Sequence, residues 1–476
     1  MTPEEFRVAG HELIDWIADA RAGIDARPVL APVEPGEVRG WFEAAPPTSV
    51  QAFDELLGDL ETKVLPGVTQ VQHPMHFGWF PSNASLASVL GDIASSGIGS
   101  LGISWESSPA LTEVEQVVCD WMRQLVGLSD RWHGTIHDTA STACLVALLV
   151  ARERSTDLVQ HRGGTQSVDS PLVVYTTVHA HSSVAKAALL AGFGRDNVRM
   201  VDVDPRTHAM DPAALESAMA DDAAAGRTPV AVVATVGTTG TTAIDPVAAI
   251  VTVAKSHGAY VHVDAALAGS AMLLPEYRHL WSGVEEADSL CWNPHKWMGT
   301  VLDCSLFYVR DVGLLTRVMS TDPSYLQSTV DGRVPQYRDW GIPMGRRFRA
   351  LKLLFQLRLD GVEAIQARLR RDLANAAWLE QQVEAAEGWE VCAPVSLQTV
   401  CVRHRPTGAS GARLEGSALD RHTLGWTRRV NVSGAAYVTA SILDGEWMVR
   451  ISIGVETTER VHVERLWSLL QDAATS

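Results

Sequence analysis

Chemistry in this chain concentrates where strand-like runs give way to turns. Residues 289–297 read SLCWNPHKW, so His295 and Lys296 follow directly on a run that ends at Asn293-Pro294. In open α/β sheets, ligands sit beyond the carboxyl ends of strands, and a lysine there can be held in a partly apolar pocket. A free lysine titrates near 10.4, so a nucleophilic amine at neutral pH needs that value lowered by about 2–3 units. Burial beside a cationic or polarising group such as His295 acts in that direction. Residues 259–264, AYVHVD, followed by Ala265 and Ala266, leave a lone carboxylate, Asp264, at the end of an apolar run. Burying it unpaired is costly, which implies a cationic partner. Residues 139–143, TASTA, open an apolar helix, where hydroxyls and free backbone N–H groups suit a phosphate. His181 follows the run 172–177 and begins a helical segment, where an imidazole can stack on a planar ring or move protons.

Each feature has an ordinary alternative: a surface lysine in a turn, a structural salt bridge, a plain N-cap. His179, two residues before His181, makes a metal pair conceivable, but no HExxH or cysteine cluster accompanies it and no metal is expected. The order is more informative than any single residue. A phosphate cradle, a stacking histidine, a carboxylate and a lysine come in turn, each at a strand end. That set fits pyridoxal phosphate, whose protonated pyridine nitrogen is both a partner for Asp264 and the source of its electron-sink chemistry. A Walker A loop and a G-x-S-x-G elbow are both missing from the sequence.

The elements that must position these residues form an α/β pattern. Runs 172–177, 230–236, 259–264, 289–293 and 305–309 read as strands alternating with amphipathic helices, which predicts a mostly parallel, covered sheet. Between two of them Asp245 reads as an N-cap, Pro246 as the first helical residue and Gly258 as the stop. Texture divides the chain into a helical segment over 1–80, with Phe6, Leu13, Ile14 and Ile17 on one face, a large α/β domain over 81–365, and a small α+β domain over 366–476. The last holds a long helix over 366–385, strands 399–403 and 447–453, and a closing helix 463–472. A net charge of −17 disfavours nucleic acid and anionic membranes as partners. No apolar run is long enough to span a bilayer, and the opening MTPEEFRVAG lacks a signal-peptide pattern. Six scattered cysteines read as reduced core thiols, so a cytoplasmic protein is expected.

Nearly the whole chain resembles the group II pyridoxal-phosphate-dependent amino-acid decarboxylases, close to the aromatic-L-amino-acid decarboxylases. The resemblance is carried by LPGVTQVQHP (65–74), FGWFPSNAS (77–85), GISWESSPALTEVE (102–115), HAHSSV (179–184), HVDAALAGSA (262–271), NPHKW (293–297), DPSYLQS (322–328) and YRDWGIPMGRRFRALK (337–352). It implies a fold-type-I pyridoxal-phosphate transferase fold in a homodimer with shared active sites. It also implies that Lys296 binds the cofactor covalently, Asp264 pairs with the ring nitrogen, and His181 stacks on the ring and contacts substrate. By the same resemblance Ala140, Ser141 and Asn293 hold the phosphate, Thr239 and Ala266 lie near the ring, and His295 neighbours the lysine. Tyr325 is similar to the tyrosine that returns a proton to the α-carbon; a phenylalanine there marks aldehyde-forming relatives.

For substrate, the resemblance points to Ser82, Trp79, Phe80, Pro81, Leu101, Ile103 and Gly345, with Leu101 and Ile103 supplied by the partner subunit. This apolar lining disfavours acidic substrates. Gly345 leaves room for a large ring, so a tryptophan-, phenylalanine-, tyrosine- or dopa-type amino acid is expected. Two departures, Val71 where many relatives carry tryptophan and Leu267 after HVDAA, imply a reshaped pocket. The competing expectations are aldehyde synthesis, transamination, or a catalytically silent scaffold of the same fold.

Overall fold

A computed structural model describes residues 1–321, 330–407 and 411–475. The chain divides into two compact units, one of residues 82–376 and 393–399, the other of residues 1–81, 377–392 and 400–476.

The larger unit is built on a seven-stranded sheet. Its strands are β1 (His133–His137), β2 (Leu172–Thr176), β3 (Val198–Met200), β4 (Thr228–Thr235), β5 (Tyr260–Asp264), β6 (Ser289–Trp292) and β7 (Ser305–Val309). Their order is β1-β7-β6-β5-β4-β2-β3. Only β7 runs antiparallel to its neighbours; the β2–β3, β2–β4, β4–β5 and β5–β6 pairs are parallel. All five expected strand runs are present, within a residue or two at each end. Every residue of β2, β5, β6 and β7 is buried. Such strands show continuous apolar runs because helices cover both faces. Val230, Val232 and Val233 of β4 are fully buried, each worth on the order of 1.5–3 kcal/mol relative to exposure.

The helix after β4 spans Val247–Ser256, and Gly258 just past it adopts φ +69. Asp245 is not its N-cap. Its carboxylate instead accepts the backbone N–H of Met210 and of Thr235, both at 2.7 Å, tying the end of β4 to a neighbouring loop. Burial raises its pKa to about 6. Pro246, with no N–H of its own, takes the cap position.

The second unit joins the two ends of the chain. Its sheet has β8 (Trp389–Val391), β9 (Thr399–His404), β10 (Thr439–Leu443) and β11 (Glu446–Ser452) in the order β10-β11-β9-β8. Val29 N–H donates to Gly434 O at 2.9 Å, Phe77 N–H to Tyr437 O at 2.8 Å, and Ser452 N–H to Phe77 O at 2.9 Å. The segments read from texture as 1–80 and 366–476 therefore share one unit, and the second boundary falls at 376/377, inside the long helix Val362–Ala385. Backbone pairing between distant segments leaves no local trace in sequence, which is why texture divided the chain in three. The first helix, Pro3–Ala22, is closed by a Thr2–Glu5 capping box and buries none of its residues in the single chain. Its expected apolar face is only partly covered: Leu13 and Ile17 are half-buried, while Phe6 is 63% exposed and Ile14 is exposed as well.

Candidate active site

The parallel strands deliver their carboxyl ends to one edge of the sheet. Asp264 ends β5, with Thr235 of β4 on one side and Cys291 of β6 on the other. Backbone bonds weld these ends together: Val236 N–H to Asp264 O, Ala265 N–H to Cys291 O, and Asn293 N–H to Ala266 O, at 2.9, 2.9 and 3.0 Å. Lys296 follows β6 by four residues, on the turn Pro294–Met298. That turn is held firmly. Asn83 Nδ2 donates to Lys296 O at 3.3 Å, and Arg368 Nη2 donates to Trp297 O and Met298 O at 2.8 and 2.6 Å. Trp297 Nε1–H donates to buried Asp372 at 2.9 Å, whose pKa burial raises to about 6.

His295 does not place a cation beside the lysine. Its Nδ1 accepts the backbone N–H of Cys304 at 3.0 Å, and burial, then the Lys296 charge, lower its pKa to about 4. A buried ring that accepts through Nδ1 is neutral at physiological pH and carries its proton on Nε2.

His181 is the N-cap of the helix Ser182–Leu190, and its Nδ1 accepts Ser183 N–H at 3.2 Å, with Ser183 Oγ at 2.7 Å. A donor at Nδ1 leaves the proton of the neutral ring on Nε2. Desolvation lowers the His181 pKa, the Lys296 charge lowers it further, and the Asp264 charge partly offsets both. Because β2, β4, β5 and β6 lie side by side and parallel, His181 after β2, Asp264 at the end of β5 and Lys296 after β6 all stand at the same edge of the sheet. Three of the expected site residues are thus brought together from three separate strand ends.

Beyond β1, Thr139 caps the helix Ala140–Ser155 in position only, since its side chain makes no capping bond. The first N–H groups of that helix, with exposed Ser141 and buried Ala140, retain the donors an anion needs. Asn293 is buried, and its Oδ1 has no hydrogen-bond partner among the described residues. Thr239 and Ala266 are half-buried on the loops after β4 and β5. An uncapped helix start with free N–H donors, the donor NH2 of a buried Asn293, and a lysine on the same sheet edge as a histidine and a carboxylate together fit pyridoxal phosphate.

The substrate residues divide. Ser82 precedes Asn83, which holds the lysine turn. Leu101 packs by Gly345, whose missing Cβ would stand 3.7 Å from its Cδ1, and Gly102 N–H donates to Arg346 O at 3.0 Å. Arg346 is in turn buried against Glu115 at 2.6 Å. Ile103 O accepts from Arg338 at 3.4 Å. Trp79, Phe80 and Pro81 belong to the other unit, where Trp79 takes φ +47 and Arg450 donates to its carbonyl at 3.0 Å while its guanidinium lies over the Phe80 ring. Val71 there is half-buried, and Leu267 in the larger unit is fully buried. Tyr325 lies outside the described residues. Sequence reasoning missed Asn83, Ser183, Arg368 and Asp372. The first two sit inside the quoted motifs; the last two carry no local signal, lying on what reads as an ordinary amphipathic helix.

Residues 35–405 match the family described as pyridoxal-dependent decarboxylase conserved domain. The chain is 39% identical to tryptophan decarboxylase 2 of Oryza sativa subsp. japonica, over all of this chain and 95% of that protein. It is 38% identical to phenylacetaldehyde synthase of Arabidopsis thaliana, over all of this chain and 97% of that one. Among solved structures, Oryza sativa TDC with PLP and tryptamine superimposes with a TM-score of 0.96 at 37% identity, covering all of this chain and 98% of the other. The chain belongs to the pyridoxal-dependent decarboxylase family, and its cofactor is pyridoxal 5′-phosphate.

Proposed function

We propose that this enzyme removes the α-carboxylate of an aromatic L-amino acid of the tryptophan, phenylalanine, tyrosine or dopa type, releasing the amine and CO₂. The observation that carries the reading is that His181, Asp264 and Lys296 stand at the carboxyl ends of parallel strands along one sheet edge, in a chain similar throughout to a tryptophan decarboxylase. The bound cofactor supplies an aldehyde that condenses with amines and a protonated ring that accepts the electron pair left by a departing carboxylate.

The chain's own residues do the rest. Lys296 provides the attaching amine. Asp264 presents its carboxylate to the ring nitrogen, while Ala140, Ser141 and Asn293 hold the phosphate beside the helix start, with Thr239, Ala266 and His295 closing round the ring. His181 orients substrate from one face and holds a proton at Nε2, the atom left free by Ser183. Tyr325 returns a proton to the α-carbon, and the residues read as recognising the aromatic group are Ser82, Trp79, Phe80, Pro81, Leu101, Ile103 and Gly345. The helix Pro3–Ala22, which buries none of its residues fully and leaves Phe6 and Ile14 exposed, supports a homodimer in which subunits complete each other's sites. Six cysteines with no disulfide support a cytoplasmic setting, and no helix among the described residues is long and apolar enough to cross a membrane.

The test incubates the loaded enzyme with the common amino acids and several aromatic derivatives, identifying products by mass spectrometry. Amine from aromatic substrates alone is expected; keto acid, or no product from any amino acid, would refute the proposal. Likeness to phenylacetaldehyde synthase favours one second reading, aldehyde formation. Tyr325→Phe separates the two: it should turn an amine-forming enzyme toward aldehyde, whereas aldehyde from the unaltered protein would establish the second reading.

A further inference from the structure

Behind Asp264 runs a line of buried polar side chains that no catalytic role yet explains. His262 and Asp264 are alternate residues of β5, and Ser289 and Cys291 are alternate residues of β6. The strand register sets His262 opposite Ser289 and Asp264 opposite Cys291. Side chains two apart on a strand share a face, so the four meet in sequence across the pair. Ser289 Oγ lies 2.8 Å from His262 Nδ1, His262 Nε2 lies 3.5 Å from Cys291 Sγ, and Cys291 Sγ lies 3.8 Å from Asp264 Oδ1. His262, Ser289 and Cys291 are fully buried and Asp264 is 4% exposed.

The direction of every hydrogen bond follows from its acid end. An ionised carboxylate only accepts, so the Cys291 thiol donates to Asp264. Its single proton is then used, and its sulfur can meet His262 only as an acceptor. His262 must therefore carry its proton on Nε2, which makes Nδ1 the acceptor for the Ser289 hydroxyl. Burial keeps both middle members in the required states: it lowers the His262 pKa to about 4 and raises that of the Cys291 thiol well above its usual value. At the far end, Asp264 Oδ1 also accepts the backbone N–H of Ala266 at 3.0 Å. Oδ1 is thus doubly engaged. Oδ2 is the oxygen left to face a ligand.

We propose that Cys291, backed by His262 and Ser289, is a positioning residue for the cofactor: it fixes the Asp264 carboxylate through Oδ1 so that Oδ2 meets the ring nitrogen. This rests on the reading that Asp264 pairs with that nitrogen. Hydrogen bonds aligned head to tail strengthen one another in a low-dielectric interior, so the contribution of the thiol exceeds that of an isolated weak donor.

Two measurements test the relay. In the apo-protein, the infrared difference between the unaltered chain and Cys291→Ala isolates the Cys291 S–H stretch. That band should lie at the frequency of a hydrogen-bonded thiol and move when Asp264→Asn is introduced; a free-thiol frequency indifferent to residue 264 overturns the relay without any cofactor present. On titrating pyridoxal phosphate into apo-protein, Cys291→Ala should raise the dissociation constant about three- to tenfold and change the ratio of the two absorbance bands of the bound cofactor. Cys291→Ser, which keeps a donor and folds in the same space, should restore both to within about twofold. Cys291→Ala with unaltered affinity and spectrum, in a protein where Asp264→Asn changes both, removes Cys291 from the site. Asp264→Asn with unaltered affinity and spectrum instead refutes the pairing of Asp264 with the ring, the reading beneath.

Discussion

In the four-stranded sheet, Arg403 and Arg405 each contact both Glu390 and Glu446, at 2.9 to 3.1 Å, so two cations and two anions saturate one another. Next to them His404 Nδ1 and His422 Nε2 share one hydrogen bond at 2.9 Å. The carboxyl edge of the parallel sheet is different. There Asn293 Oδ1 is buried without a partner among the described residues, the helix after Thr139 starts without a side-chain cap, and Asp264 has only one oxygen engaged by the relay. Polar groups that close on each other hold a fold together. Groups left incomplete in the interior cost stability unless something else completes them; on the proposed reading the cofactor phosphate takes up the helix N–H groups and its ring nitrogen takes up the other Asp264 oxygen.

The contrast can be broken at several points. Lys296→Ala should have the largest effect, abolishing covalent attachment of pyridoxal phosphate and lowering turnover by several orders of magnitude with little change in melting temperature. Intact mass after borohydride reduction, alongside kinetics, checks both halves. Asn293→Ala should weaken cofactor binding about ten- to a hundredfold, the range for a lost bond to a charged group, as read by titration of apo-protein. Unchanged affinity would mean that the Asn293 amide donates to no ligand.

Acid should act on both regions alike. Burial lowers the pKa of His76, His137, His262, His295 and His404 to about 4, below the unfolded value near 6.5. Between those values the unfolded chain binds more protons than the folded one, so stability present above pH 6.5 is lost as pH falls toward 4. Asp245 and Asp372, raised to about 6, contribute the opposite slope, but they are two groups against five. Denaturant midpoints measured from pH 7 to 4 should therefore fall; a flat or rising profile would mean the rings are not held neutral. The smallest effect belongs to Glu390→Gln in the closed network. Glu446 still serves both arginines, so a loss of about 0.5–1 kcal/mol in denaturant unfolding is expected, with cofactor affinity unchanged.

The chemistry was legible because it is local. AYVHVD ends a buried strand on a carboxylate and NPHKW sets an amine four residues past another, and a parallel sheet brings such ends to one edge whatever the loops between them do. The five strand runs were visible for the same reason, being short, mostly apolar and rich in β-branched and aromatic residues. Asp245 misled because its position and neighbour match a helix cap, while its oxygens were already committed to Met210 and Thr235, one of them 35 residues away. Edge strand β1 was not visible at all: HGTIH mixes polar and apolar residues, and its pairing with β7 joins residues more than 160 apart in the chain.

Sequence by itself therefore determined which groups this protein carries and which of them stand at strand ends, since residue type and short-range periodicity are properties of neighbouring positions. Only the tertiary structure decided their partners and protonation. His295 is neutral because it is buried and keeps its proton on Nε2 because of Cys304, His181 keeps its proton on Nε2 because of Ser183, and Asp264 has a thiol behind it because β5 and β6 pair in one register. Burial and hydrogen-bond direction arise from segments that meet in space, and a linear chain holds no record of them until it folds.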